Sequence, residues 1–110
     1  MKIELYIEGE KRLFTVPFVP MLAKRKYLEC QIKMKEHGEA PTPEQMLDEE
    51  DELIAILVDV VFKNQFTVDQ LYEGASKPYI DSKLIEAIHG IKPKEELKEK
   101  GDEDEGNING

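Results

Sequence analysis

The chain has one cysteine, no tryptophan and two histidines among its 110 residues, and nowhere a long apolar run. Each scarcity removes a class of function. Cys30 is alone, with no Cys-x-x-Cys or Cys/His spacing around it, so it encodes neither a disulfide scaffold nor a zinc site. On an apolar helical stripe it reads as a small buried hydrophobe. His37 and His89 both fall at expected helix ends, where an imidazole meets terminal carbonyls, and neither has the spaced partners of an acid–base or metal centre. A phosphate loop, a G-x-S-x-G elbow and an H-E-x-x-H pair are all missing. With no stretch as long as a signal core or a membrane span, the expected location is a reducing cytoplasm. The expectation is a binding protein, not an enzyme, with no cofactor and no metal.

Basic charge is also short, and the deficit is local. The formal net charge is −9, from 15 basic and 24 acidic residues. Residues 44–52, "EQMLDEEDE", hold six acids, and "DEDE" at 102–105 holds four more; the 14 acids and 15 bases elsewhere nearly cancel. Nucleic acid requires a basic face to displace counterions, and the only basic cluster is Lys24-Arg25-Lys26 with Lys33 and Lys35 beyond it, so no nucleic-acid partner is expected. "DEEDE" lacks the alternating oxygens and central glycine of a calcium loop and reads as a solvated helix face.

The remaining composition, 40% hydrophobic and 35% charged, suits one globular domain with a polar extension. A chain of this size buries roughly 60–65% of its unfolded surface, enough for one modest core. The expected division is a single domain over residues 1–91 and a charged, solvated tail over 92–110, where the apolar period is lost.

Within the domain, "KIELYIE" alternates strictly, with Ile3, Leu5 and Ile7 on one face, and predicts a half-buried strand over residues 2–8. Gly9-Glu10 is the expected turn, and "KRLFTV" continues the apolar face through Leu13 or Phe14 and Val16, giving a hairpin over 2–16. A lone hairpin is unstable in water, so helices or a second copy must cover it. In "FTVPFVP", Pro17 stops the strand and Pro20 suits a helix start, which makes an elbow with Phe18 and Val19 at the corner of the core.

The next helix is expected from Pro20 to His37, with Gly38 following it. At about 100° per residue, Ala23, Tyr27, Cys30 and Met34 share one stripe, while Met21, Leu28 and Ile32 fall nearly opposite. Either the helix is sandwiched within the domain, or its second stripe belongs to a partner. Beyond it, Thr42-Pro-Glu-Gln45 is a capping box opening a helix whose later part, "LIAILVDVVF", is the most buried, with Asp59 and Lys63 toward solvent. A break near Asp48–Glu50 would divide it. Thr67 to Gln70 repeats the cap before a short helix closed by Gly74, and a last helix over Tyr79–His89 presents Ile80, Leu84, Ile85 and Ile88 before Gly90. The fold class is α+β: an N-terminal hairpin, then a bundle of about four helices.

Three stretches together, "KIELYIEGEKRLFTVPFVP", "MLAKRKYLE" and "LVDVVFKNQFTVDQLYEG" with the helix to "AIHG", resemble the tail assembly chaperones of long-tailed phages and prophages of Gram-positive bacteria. The resemblance spans most of residues 1–91; the stretch "GDEDEGNING" has no counterpart in it. It implies a non-enzymatic assembly factor of the host cytoplasm, absent from the mature virion, that keeps the coiled-coil-rich tape measure protein soluble while tail-tube protein polymerises around it. It also implies a longer form made by frameshifting, for which Lys92, Lys94, Lys98 and Lys100 mark a place. The physical reading adds the contact residues: Met21, Lys24, Arg25, Leu28, Ile32 and Lys35 on the outer stripe, an apolar ridge flanked by charge. Weak, salt-sensitive self-association is expected from the complementary charges of residues 24–26 and 48–52 and from the open hairpin edge. The rival readings are a structural or completion protein of the tail, and a small acidic regulatory module that occupies a basic site.

Overall fold

The computed structural model describes residues 1–91. Strand β1 (Lys2–Ile7) pairs antiparallel with β2 (Glu10–Thr15), Ile7 opposite Glu10 and Ile3 opposite Phe14. The turn is therefore Glu8-Gly9, one residue earlier than Gly9-Glu10. Both residues have positive φ, 54° and 82°. That combination is the type I′ turn, whose twist matches paired strands, and glycine holds its second position without steric cost. The register also decides between Leu13 and Phe14. Phe14 faces inward, its ring 5.0 Å from that of Phe66, and Leu13 is exposed on the outer face. Met1 and Val16 exchange backbone hydrogen bonds and lengthen the ladder by one pair.

The elbow differs from expectation at two points. Val19 packs against the core, but Phe18 is 69% exposed. Neighbours in an extended segment point opposite ways, so turning Val19 inward sends Phe18 to solvent. Helix α1 (Leu22–His37) also begins two residues after Pro20. Met21 precedes it with no side-chain cap, and the first bonds, Ala23 N–H to Pro20 O and Lys24 N–H to Met21 O, are i→i−3. At the other end Gly38 has φ 85° and ψ −169°, outside the left-handed cap region.

Helix α2 (Pro43–Ala55) is opened by the expected capping box: Thr42 Oγ1 accepts from Gln45 N–H at 3.1 Å and Gln45 Oε1 accepts from Thr42 N–H at 2.9 Å. Thr42→Ala is expected to cost about 1 kcal/mol, read from the midpoint of urea unfolding. The helix runs unbroken through Asp48–Glu50. The irregularity comes later, as a π-helical turn over Ile56–Val61 in which Phe62 N–H reaches Leu57 O. Ile56, Leu57, Val58, Val61 and Phe62 are all buried there, in contact with α1 and α4. Lys63 and Asn64, both at positive φ, then reverse the chain.

Helix α3 (Val68–Gly74) repeats the capping box at Thr67 and Gln70. Gly74 does more than end it, since the helix there lies against the backbone of Tyr6 on β1. Tyr79 Oη accepts from Glu4 N–H at 2.9 Å, and Gln65 Nε2 donates to Thr15 O at 3.1 Å. The hairpin edges expected to be open thus both carry intramolecular contacts. Helix α4 (Lys77–His89) begins two residues before Tyr79 because Ser76, not expected as a cap, accepts from Tyr79 N–H. It ends as expected at Gly90 in the left-handed conformation, φ 74° and ψ 15°.

One continuous core joins Ile3 and Leu5 of the hairpin, Ala23 and Cys30 of α1, the π-helical turn, Leu71 and Ile80. Lys83, a residue type usually found at the surface, is only 2% exposed. Its alkyl stem is covered while Nζ donates to Glu86 at 3.3 Å and lies 5.5 Å from the Tyr79 ring centre. The observed order, a two-stranded hairpin followed by four helices, is the α+β architecture expected. The segment 92–110, expected as a tail, lies outside the described residues.

Candidate partner-binding surface

Helix α1 is anchored on one side and open on the other. Ala23 and Cys30 are buried, and Tyr27 and Met34 are half-buried beside them. On the opposite stripe Met21 is 84% exposed, Leu28 46% and Ile32 63%. Among the described residues the two-striped pattern therefore reflects a helix packed on one face only, not a helix with core on both sides.

Ion pairs fix the helix in place. Lys33 spans from α1 to Asp48 at 3.5 Å and also to Glu52 on α2. The hydrogen bond to Glu52, and then the charge of Asp48, raise the Lys33 pKa and keep its ammonium protonated. One turn on, His37 Nδ1 meets Glu49 at 2.5 Å, both side chains largely buried. His37 thus joins two helices instead of merely capping one. His89 packs edge-on against Tyr27, ring centres 5.5 Å apart.

Of the six residues expected at the partner surface, Leu28, Ile32 and Lys35 come together with Gln31 and Met34 around one shallow groove. Met21, Lys24 and Arg25 lie outside this groove, toward the helix start, on the same exposed face. Arg25 is held there by Glu29 at 3.2 Å, and Lys26 shares that carboxylate at 3.5 Å. The charges expected to draw copies together are thus partly satisfied within the chain, since Asp48 and Glu52 already face Lys33 and Asp51 accepts from Tyr72 Oη at 2.8 Å.

Cys30 sits between these features, 3.5 Å from Glu52. Burial first, then the hydrogen bond and negative charge of Glu52, push its thiol pKa from 9.0 up to about 11. Two units remove about 99% of the thiolate at mildly alkaline pH. Alkylation at pH 8 is therefore expected to run roughly tenfold or more slower in the native protein than in urea, where the thiol titrates normally. Equal rates would place Cys30 in solvent. Among the described residues no group of three His, Cys, Asp or Glu is placed to hold a metal ion, and no helix is long and apolar enough to cross a membrane.

A second concave surface was not foreseen. Between α1, α2 and α4 lies a cleft of about 400 Å³ whose apolar lining includes Met34, Met46, Leu53 and Leu84. Met46 and Leu53 stand seven residues apart on α2, a spacing that places them on one face. The carboxylates between them drew attention to charge and hid this ridge.

A family model described as phage tail chaperone protein matches residues 1–108. The chain belongs to this family. No curated protein and no solved structure shows significant similarity to it. Membership supports a role in phage tail assembly and agrees with the resemblance carried by the hairpin, the elbow and the "FKNQFTVDQLYEG" stretch. The match continues through the acidic residues 102–105 to residue 108, a stretch that the resemblance left unplaced.

Proposed function

We propose that this tail chaperone binds the tape measure protein through the outer face of α1, keeps it soluble, and helps bring tail-tube subunits to it. The observation that carries the reading is the one-sided anchoring of α1. Ala23 and Cys30 are buried, while Met21 just ahead of the helix and Leu28 and Ile32 along it stand exposed. An amphipathic client helix needs an apolar ridge to replace its eventual neighbours, and charge beside that ridge keeps the chaperone itself in solution. Lys24, Arg25 and Lys35 supply the charge. Residues 1–91 are the working domain in this reading. The protein acts without catalysis in the bacterial cytoplasm and is left out of the finished particle, and a longer frameshifted form would work beside it.

The test is co-expression with the tape measure protein. With the chaperone present the client is expected in the soluble fraction and in the chaperone's eluate; without it, in the pellet. A client that stays insoluble and unbound beside a folded chaperone contradicts the proposal.

A further inference from the structure

We propose that the cleft between α1, α2 and α4 is a second docking site, which receives an amphipathic helix whose apolar ridge is flanked by Lys or Arg. Its floor is apolar, and two of its walls, Met34 and Met46, are methionines, side chains that adapt to different partners. A volume of about 400 Å³ admits the side chains of one helical ridge. The rim decides which helix enters. Glu49, Glu50 and Asp81 line the cleft, and Asp51 lies beside it, bonded to the lining residue Tyr72. Against them stand Lys77, 2.7 Å from Asp81, and His37, which meets Glu49. The negative field also acts on Tyr72, whose hydroxyl pKa is raised by burial first and then by Asp51 and Glu50.

Such a rim repels a helix edged with carboxylates and attracts one edged with ammonium or guanidinium groups. The outer face of α1, flanked by Lys24, Arg25 and Lys35, has the reverse preference. Met34 borders both grooves. Two neighbouring sites of opposite charge can hold differently charged segments of one long helical partner, which raises affinity and fixes register. The inference draws on the chaperone reading for the origin of the helix, whereas its test does not.

Two labelled peptides of about three heptads, with leucine at a and d and either lysine or glutamate beside them, are titrated with the full chain at low salt and followed by fluorescence anisotropy. The lysine peptide is expected to bind. The double variant Glu50→Lys, Asp81→Lys is expected to weaken it by about tenfold or more, while Glu73→Lys, a single charge reversal at a residue that does not line the cleft, leaves it unchanged. Circular dichroism of both variants confirms the fold. No binding of the lysine peptide, or equal loss in Glu73→Lys, overturns the proposal. Sedimentation showing self-association that the double variant abolishes would support the charge preference of the cleft, with the Lys- and Arg-flanked α1 of a second copy as its occupant. Failure here leaves the solubility test of the α1 face standing.

Discussion

Gly74→Ala is expected to lower stability by about 2–3 kcal/mol and the melting temperature by roughly 10–20 °C. The cause is a backbone approach. A Cβ at residue 74 would lie 2.7 Å from the carbonyl oxygen of Tyr6, 3.1 Å from its amide nitrogen and 3.3 Å from Leu5 Cβ. The two nearest atoms are main chain, so no rotamer change relieves the clash. Either α3 lifts from β1 or the hairpin shifts, and Leu5 and Leu71, both fully buried, lose their packing. In a domain whose whole stability is about 5–15 kcal/mol, such a loss is large. Urea and thermal unfolding measure it. A melting temperature within two or three degrees of the parent would show that β1 yields easily and that the contact between α3 and the hairpin is not tight.

Ile32→Asp and Leu28→Asp are expected to have the opposite profile, sparing the fold and removing the client. Ile32 is 63% exposed and Leu28 46%, so the change in folding stability is expected to be within about 1 kcal/mol, part of it the lower helix propensity of aspartate. In a complex the same aspartate would lie desolvated against apolar client side chains. Central apolar contacts of this kind carry about 2 kcal/mol or more, so affinity is expected to fall by roughly 30-fold or more. Loss of the tape measure protein from the eluate, with unchanged circular dichroism and melting, is the expected result. Unfolding of either variant would show that the stripe supports the core, and unchanged co-purification would move the client elsewhere on the molecule.

The elements were legible because each has a local cause. Strict alternation in "KIELYI" marked β1, and Thr42 with Gln45 and Thr67 with Gln70 marked two helix starts. Opposed apolar stripes showed that α1 has two faces, and burial then distinguished the anchored face from the open one. What escaped depends on contacts between distant residues. Glu8-Gly9 and Gly9-Glu10 both place glycine in the turn, and only the inward pairing of Phe14 with Ile3 chooses between them. Phe18 read as core because it is large and apolar, whereas its exposure follows from Val19 taking the inward position. Gly74 read as a helix terminator, and the strand it touches lies 68 residues earlier, at Tyr6. Lys83 and the acidic cleft escaped for a related reason. Residue type suggests solvent for a lysine and for a run of carboxylates, but α4 and α2 turn the covered sides of both toward neighbouring helices.

The central claim is that the outer face of α1 touches the client, and site-specific photo-crosslinking tests it most directly. A photoreactive residue is placed at Ile32, and separately at Glu73, exposed on α3, in cells that also make the tape measure protein. The account predicts a covalent adduct with that protein from position 32 and none from position 73. An adduct from position 73 alone would contradict it.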